Sequence, residues 1–521
     1  MFYVPLYIEL LRSRPHWMFW FAALVQAFIW LVVPVVFYFA PPGDLAQLLA
    51  IGHEFRFDGG VGPPLAYWLG EISFRFGGLF AVYLLAQVCI VVAYWSVFAL
   101  GRAIIGPEHA AIAVLLMVGI ALLTVPSPDF GPAILTMALW SVALLHYWQA
   151  VAQGNKRSWY VFGGAAALIL LSTEAALVLL GTLALFTALT ERGRAALEAT
   201  EPWIVGVVLS FFLFLHLIWL DGVGHGFAPI LEGLRQASAA GGNTVAWLRL
   251  LIALALAHAG LVILVVLAGG WPRSRALPAP PLSRQPVAAF AATYVRVLTL
   301  IPALAATIIA ALIGRSTPIG GAAPLVLLAG LFIVMAAGDS IALYHQRVLG
   351  FVWAGLLVVP AVFVPLLIVA LPWAAGTDLK IAQPAKAMGR FFAENFERRT
   401  GQPLAIVTGD ARTAALVALA APSRPSVLFD AAPERSPWVS VDDIRRKGAI
   451  VVWLTNDTAP TPPPAIKAYF PDLVAEVPRT FDRPVQGRMP PLRIGWGVIR
   501  PGTVAAAPPA APSAAAAAVA R

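Results

Sequence analysis

Long apolar runs separated by short polar stretches recur along most of the 521-residue chain. They fall near 17–40, 77–100, 109–125, 132–152, 159–172, 175–190, 202–220, 247–270, 293–313, 324–344 and 349–372. A helix rises about 1.5 Å per residue, so about 20 apolar residues cross a hydrocarbon core of about 30 Å. The pattern predicts an α-helical polytopic membrane protein with about 11 spans. The 159–190 stretch is too long for one crossing and short for two. Ser172-Thr173-Glu174 interrupts it, which predicts two short helices meeting at one membrane face.

After about residue 377 the periodicity changes. Ala405-Ile406-Val407 and the run from Ala449 to Trp453 are short, apolar and bounded by turn signals, the pattern of buried strands. Lys386 to Arg399 and Ser440 to Lys447 read as helices. Ser440-Val441-Asp442-Asp443 has the layout of a capping box, with Asp in place of Glu or Gln. Strands alternating with helices predict a small α/β domain. The expected organisation is a multi-span domain over 1–376 with a polar loop at 41–76, the α/β domain over 377–500, and an Ala/Pro-rich, disordered tail over 501–521.

Composition agrees with the pattern. Hydrophobic residues make up 60% of the chain and mean hydropathy is +0.82, against about 45–50% apolar content in a soluble domain. The net charge of +9 is therefore no sign of nucleic-acid binding, because Lys and Arg of membrane proteins collect in cytoplasmic loops. With eleven spans, Arg12, Arg14, Arg102, Lys156, Arg157, Arg192, Arg194, Arg273, Arg275, Arg284 and Arg347 share one side. That side is cytoplasmic, and Trp271 to Gln285 is a cytoplasmic linker. The loops 41–76, 126–131, 221–246 and 315–323, and everything after Pro372, are then outside. The N-terminal segment has no small-residue cleavage site and is expected to stay. One cysteine, Cys89, excludes a disulfide framework and a thiolate metal site within the chain. His53 and His225 are not spaced as metal ligands, and no glycine motif for a nucleotide is present, so neither metal nor cofactor is expected.

Chemistry concentrates after the first run. Asp44, His53, Glu54, Arg56, Asp58 and Glu71 lie within 28 positions in a chain only 12% charged. An acidic cluster at the water-facing end of a span is a functional-site candidate. Structural readings stand beside the functional ones. Asp44 after Pro41-Pro42-Gly43 also fits a helix cap, and Pro63-Pro64 is a rigid turn in either case. His53, Glu54 and Asp58 also fit a solvated loop face. Ser127-Pro128-Asp129 is also an ordinary helix start, Glu174 sits between two short helices, and His216 also fits a packed interfacial histidine. Asp339 falls inside the 324–344 run, and the sequence names no partner for it.

The order of these motifs resembles the GT-C membrane glycosyltransferases, and within them glycosyltransferase family 39, which includes protein mannosyltransferases and the enzymes that add aminoarabinose or galacturonic acid to lipid A. The resemblance rests on Asp44 in the first outer loop, on Gly62-Pro63-Pro64-Leu65-Ala66-Tyr67-Trp68 after it, on Pro126-Ser127-Pro128-Asp129-Phe130 before a membrane helix, and on His216-Leu217-Ile218-Trp219 at the end of a later one. It covers about residues 10–220 by motif and the remainder by architecture. Two departures stand out. Leu45 occupies the place of the family's second acidic residue, and Ser172-Thr173-Glu174 occupies the place of a basic one.

The resemblance implies transfer of a sugar from a polyprenyl-phosphate carrier to a lipid (lipid A-like) or glycan acceptor, with membrane lipids as further partners. Such a reaction needs a base or orienting carboxylate for the acceptor hydroxyl and a cation for the departing phosphate. A partly desolvated carboxylate at the membrane boundary is the better base. Asp44 is the first candidate and Asp129 the second. His53, Glu54, Arg56, Pro63, Pro64, Tyr67, Glu174 and His216 are the expected substrate contacts. Arg56, which shares its loop with Asp44 and the Pro63-Pro64 turn, is the first candidate for the phosphate, and Arg75, Arg235 and Arg315 are the other outer cations available. A transporter or flippase, or a catalytically inactive relative, is the alternative. Transporters favour repeats and mid-span charges, whereas here the acidic residues gather at outer loop ends and no repeat is seen.

Overall fold

The computed structural model describes residues 4–57, 62–222, 242–271, 281–459 and 461–502. Asp58, His225, Arg235, most of the Pro/Arg-rich linker and the tail from 503 onward lie outside the described residues. The chain divides into two compact units. One comprises Met1–Leu45 and Phe55–Val369, the other Ala46–Glu54 and Ala370–Arg521.

The first unit is helical. A short α1 (Val4–Ser13) leads into α2 (Pro15–Phe37), whose proline at the first turn occupies a position where the missing N–H costs nothing. A nine-residue α3 (Leu45–His53) begins at the edge of this unit and continues into the other. Next come α4 (Leu65–Ile105), α5 (Pro107–Met117), α6 (Pro132–Gln153), α7 (Lys156–Leu170), α8 (Ala176–Leu189), α9 (Glu191–Ala196) and α10 (Glu201–Gly222). After them come α11 (Gly242–Ala257), α12 (Ala259–Ala268), α13 (Ala289–Leu312), α14 (Ala329–Ala336) and α15 (Gln346–Ala374). Every apolar run overlaps a helix. Among the described residues, six helices are long and apolar enough to cross a membrane (α2, α4, α6, α10, α13 and α15), and the pair α11–α12, bent by 50°, makes a seventh if it is one span. Residues 159–190 form two short helices, α7 and α8, joined by a turn at Ser172-Thr173-Glu174.

The outward faces explain the composition. Along α10, Val207, Phe211 and Phe214 are each at least 60% exposed, whereas His216, Trp219 and Leu220 are buried. On α15, Phe351, Val359 and Leu366 are likewise exposed. Apolar belts of this extent need lipid around them. The chain is a multi-pass membrane protein.

α4 is two helices in one. Gly77 and Gly78 have non-helical backbone, and Gly78 sits at φ +61. The apolar run begins at this double glycine, but the helix begins twelve residues earlier, in the mixed segment 65–76 that carries Tyr67, Glu71 and Arg75. Asp339 lies outside its helix, contrary to the sequence reading, and it has a partner. A two-stranded ladder, β1 (Leu282–Ser283) against β2 (Ser340–Ile341), brings Arg284 to it. The Arg284 guanidinium is 3.3 Å from the Asp339 carboxylate and donates to the carbonyls of Met335 and Gly338 at the end of α14. These carbonyls are orphaned by the helix end, and a cation there also meets the negative end of the helix dipole.

The second unit contains a five-stranded sheet. Helix α16 (Ala385–Thr400) precedes β3 (Ile406–Gly409), α17 (Ala411–Ala420), β4 (Ser426–Phe429), α18 (Val441–Lys447), β5 (Ala449–Leu454), α19 (Pro464–Tyr469), β6 (Ala475–Phe481) and β7 (Leu492–Ile499). The strand order is β4-β3-β5-β7-β6, parallel among the first three and antiparallel at β7 and β6. β3 and most of β5 are buried, as expected of parallel strands covered by helices on both faces. The capping box at α18 is complete. Ser440 accepts from the Asp443 N–H at 3.0 Å, and Asp443 in turn accepts from the Ser440 N–H. The Ser440 hydroxyl also donates to the Asp443 carboxylate at 2.6 Å, and this bond holds the carboxyl below its ordinary value.

Candidate functional site

The two acidic residues singled out in the sequence, Asp44 and Asp129, come together in the first unit. Asp44 ends a tight turn in which the Leu45 N–H donates to the Pro42 carbonyl at 3.2 Å. Gly43 occupies the turn with φ +48, in the left-handed region that glycine adopts without strain. The Asp129 carboxylate lies directly over the Gly43 Cα. A methyl group there would overlap Asp129, with Oδ1 2.8 Å from the new carbon and Oδ2 nearer still. Asp44 itself is exposed at the start of α3, and Asp129 is half-buried.

A polar clamp fixes the loop that carries Asp129. Gln26 of α2 donates to the Leu123 carbonyl at 2.7 Å, and the Tyr94 hydroxyl of α4 donates to the Gln26 carbonyl oxygen at 3.0 Å. Gln87, about two turns before Tyr94 on α4, donates to the Ser127 hydroxyl at 3.3 Å. Gln26, Gln87, Tyr94 and Ser127 are all buried. Buried polar groups are costly unless paired, so this network holds the loop in one arrangement. Within the loop the Asp129 N–H donates to the Pro126 carbonyl at 3.0 Å, and buried Phe130 anchors the entry to α6. Tyr38 and Tyr83 both feel the Asp129 charge. Nothing in the sequence pattern distinguished these two tyrosines, or the clamp glutamines, from ordinary helix residues.

The Pro63-Pro64 turn adjoins the same region. Both prolines are buried, and Pro64 precedes the first turn of α4. The first N–H of α4, that of Leu65, donates to the Leu171 carbonyl at 3.0 Å. The neighbouring carbonyl, that of Leu170, is bonded by His216 Nδ1 at 2.7 Å. The end of α7 would otherwise leave these carbonyls without partners. They are satisfied by the start of α4 and by α10. His216 is 2% exposed, and its ring ties α10 to α7. Tyr67, in the first turn of α4, lies with its hydroxyl against Gly62, where a Cβ would stand 2.6 Å from the oxygen. This hydroxyl feels the charges of both Glu174 and Asp44.

Glu174 is in the turn between α7 and α8, where the sequence lacks a basic residue. The structure brings one back from elsewhere. Arg315, just past α13, pairs through Nη1 with the Glu174 carboxylate. Two glycines allow its loop to reach that turn. Gly320 (φ +73) lies against Ala175 and Thr173, where a Cβ would meet Thr173 Oγ1 at 2.7 Å. Gly321 (φ +80) lies against Ala133 of α6, where a Cβ would meet the alanine methyl at 2.6 Å. Both Arg315 and Glu174 keep part of their side chains exposed, 31% and 26%.

The other expected contacts are placed as follows. Arg75 bonds Glu71 at 3.0 Å and lies over the Phe55 ring at 4.7 Å, so its charge is already engaged. Arg56 is exposed. His53 and Glu54 are half-buried at the end of α3, in the segment grouped with the second unit.

This architecture is the GT-C glycosyltransferase fold. The chain is similar to ArnT from Cupriavidus metallidurans bound to undecaprenyl phosphate, with a TM-score of 0.51 and 14% identity over 93% of this chain and 98% of that one. The apo form of that protein aligns with a TM-score of 0.47 at 11% identity, covering 92% of this chain and 97% of that one. The apo oligosaccharyltransferase of Archaeoglobus fulgidus aligns with a TM-score of 0.45 at 13% identity, covering 85% and 69%. In sequence, residues 61–219 match the family described as dolichyl-phosphate-mannose-protein mannosyltransferase. No curated protein sequence matches the chain.

Proposed function

We propose that the chain is a membrane glycosyltransferase that moves a sugar from a polyprenyl-phosphate carrier to a lipid or glycan acceptor at the periplasmic face of a bacterial inner membrane. The observation that carries this reading is the meeting of Asp129 with Gly43 beside Asp44. The Asp129 carboxylate packs on the glycine that precedes Asp44, and Tyr67 feels the charges of both Asp44 and Glu174. The fold shared with a protein solved with undecaprenyl phosphate supports the choice of donor.

In this reaction the acceptor hydroxyl oxygen attacks the anomeric carbon, and the bond from that carbon to the phosphate oxygen breaks. The polyprenyl phosphate leaves with the bonding electrons, and the acceptor proton passes to Asp44. Asp129, held by the loop clamp, orients the acceptor. Arg315 meets the phosphate, replacing the basic residue missing near Thr173, and Tyr67 offers a hydroxyl between the two charges. Pro63 and Pro64 set the floor of the site, and His216 positions it through the end of α7. Arg56 is assigned to contacts with the substrate head groups.

Two tests follow from this assignment. An arginine binds phosphate through a planar fork that lysine lacks. Transfer and donor affinity should fall in the order Arg, Lys, Ala at position 315, with the melting temperature unchanged. Equal transfer by Arg315→Ala would move the phosphate to Arg56 or Arg235. Orientation is tested with a reporter active only in the periplasm. A fusion after residue 380 should be active and one at 155 silent, because the 377–500 domain is assigned to the periplasm. The opposite pattern would place the site on the wrong side of the membrane for this reaction.

A further inference from the structure

We infer that Glu174 is a built-in competitor for the donor phosphate, occupying the Arg315 guanidinium until the carrier displaces it. This rests on the reading of Arg315 as the phosphate cation. A guanidinium fork accepts a carboxylate or a phosphate by the same geometry, so an anion already on it must be exchanged rather than added to. Three features fit exchange better than permanent pairing. Both partners are partly exposed, 31% and 26%, so the pair is reachable from outside. A pair of that exposure contributes only about 0.2–1 kcal/mol, so a more highly charged phosphate outcompetes it. Glu174 also lies in a non-helical turn of the chain, where the side chain can swing away without disturbing a helix.

Tyr67 and His216 also feel the charge of the glutamate. Tyr67 is a neutral phenol, and His216 has its Nδ1 committed to the Leu170 carbonyl. When the carrier arrives, the freed carboxylate faces the Tyr67 hydroxyl, which also feels Asp44.

The consequence has a sign that a purely structural glutamate would not give. The full-length protein in detergent or nanodiscs is titrated with undecaprenyl phosphate, and with inorganic phosphate as a second probe to separate the head group from the chain. Glu174→Gln keeps size and removes the competing charge, so it should bind undecaprenyl phosphate about two- to fivefold tighter than the unsubstituted protein, the factor corresponding to loss of a partly exposed ion pair. Glu174→Asp, with a shorter reach, should shift in the same direction by less. Arg315→Ala should bind at least about tenfold more weakly. Adding Glu174→Gln to Arg315→Ala should give no further gain. Inorganic phosphate should repeat the order with lower affinity. Weaker binding by Glu174→Gln and Glu174→Asp would overturn the inference and make Glu174 a positioning residue for Arg315. A tightening that persists without Arg315 would overturn it as well. No binding of undecaprenyl phosphate by the unsubstituted protein would instead overturn the functional reading on which it rests.

Discussion

Asp44→Asn is expected to lower the transfer rate by about 10²-fold or more, the typical contribution of a general base. The substitution keeps the side-chain size, and Asp44 is exposed at the start of a short helix, so the amount of protein in the membrane should stay normal. An asparagine still serves as a helix cap. Loss of rate with retained stability therefore separates the base from the cap. The check is a single-turnover assay with purified enzyme, alongside a thermal melt. A turnover near that of the unsubstituted protein would make the Asp44 carboxylate structural.

The second large effect is expected at a residue with no side chain. Gly43→Ala places a methyl group inside the Asp129 carboxylate and puts a non-glycine residue at φ +48. The backbone strain alone costs about 1–3 kcal/mol, and relief requires Asp129 or the turn to move. Displacing a reacting group by about 1 Å costs about 10² in rate, so Gly43→Ala should approach the defect of Asp129→Asn. The two should not add, because both act through the position of one carboxylate. Assays of the two single variants and the double variant measure this. A Gly43→Ala enzyme with normal turnover would show that the contact between the turn and Asp129 has no part in the reaction.

What the sequence revealed was local. Helices follow from apolar runs longer than about 20 residues, and the Ser440 box follows from side chains three residues apart. The break between α7 and α8 was legible because three polar residues interrupt an apolar run. Asp44 and Asp129 were legible as candidates, but not as neighbours. Their meeting depends on Gly43 and on a clamp that joins Gln26 to Leu123 across 97 positions. Arg315 lies 141 positions from Glu174, and no periodicity links them. Asp339 was misread because it follows an apolar helix closely, and the ladder that brings Arg284 to it is only two residues long. In the sheet, β6 and β7 escaped notice for composition reasons. β6 carries Pro478, tolerated because the strand is at the edge. β7 carries Gly495 and Gly497, and Gly495 is required because the Trp453 ring fills the space a side chain would take.

On the proposed reading this chain transfers a sugar from a lipid carrier, with Asp44 taking the acceptor proton. The most direct measurement is mass spectrometry of envelope lipids and glycans from cells lacking the gene, complemented with either the unsubstituted protein or Asp44→Asn. The expected result is a species heavier by one sugar residue that is restored by the unsubstituted protein and not by Asp44→Asn, at equal protein levels. Restoration of that species by Asp44→Asn, or an unchanged set of glycosylated species with only the carrier-linked sugar redistributed across the membrane, would contradict it.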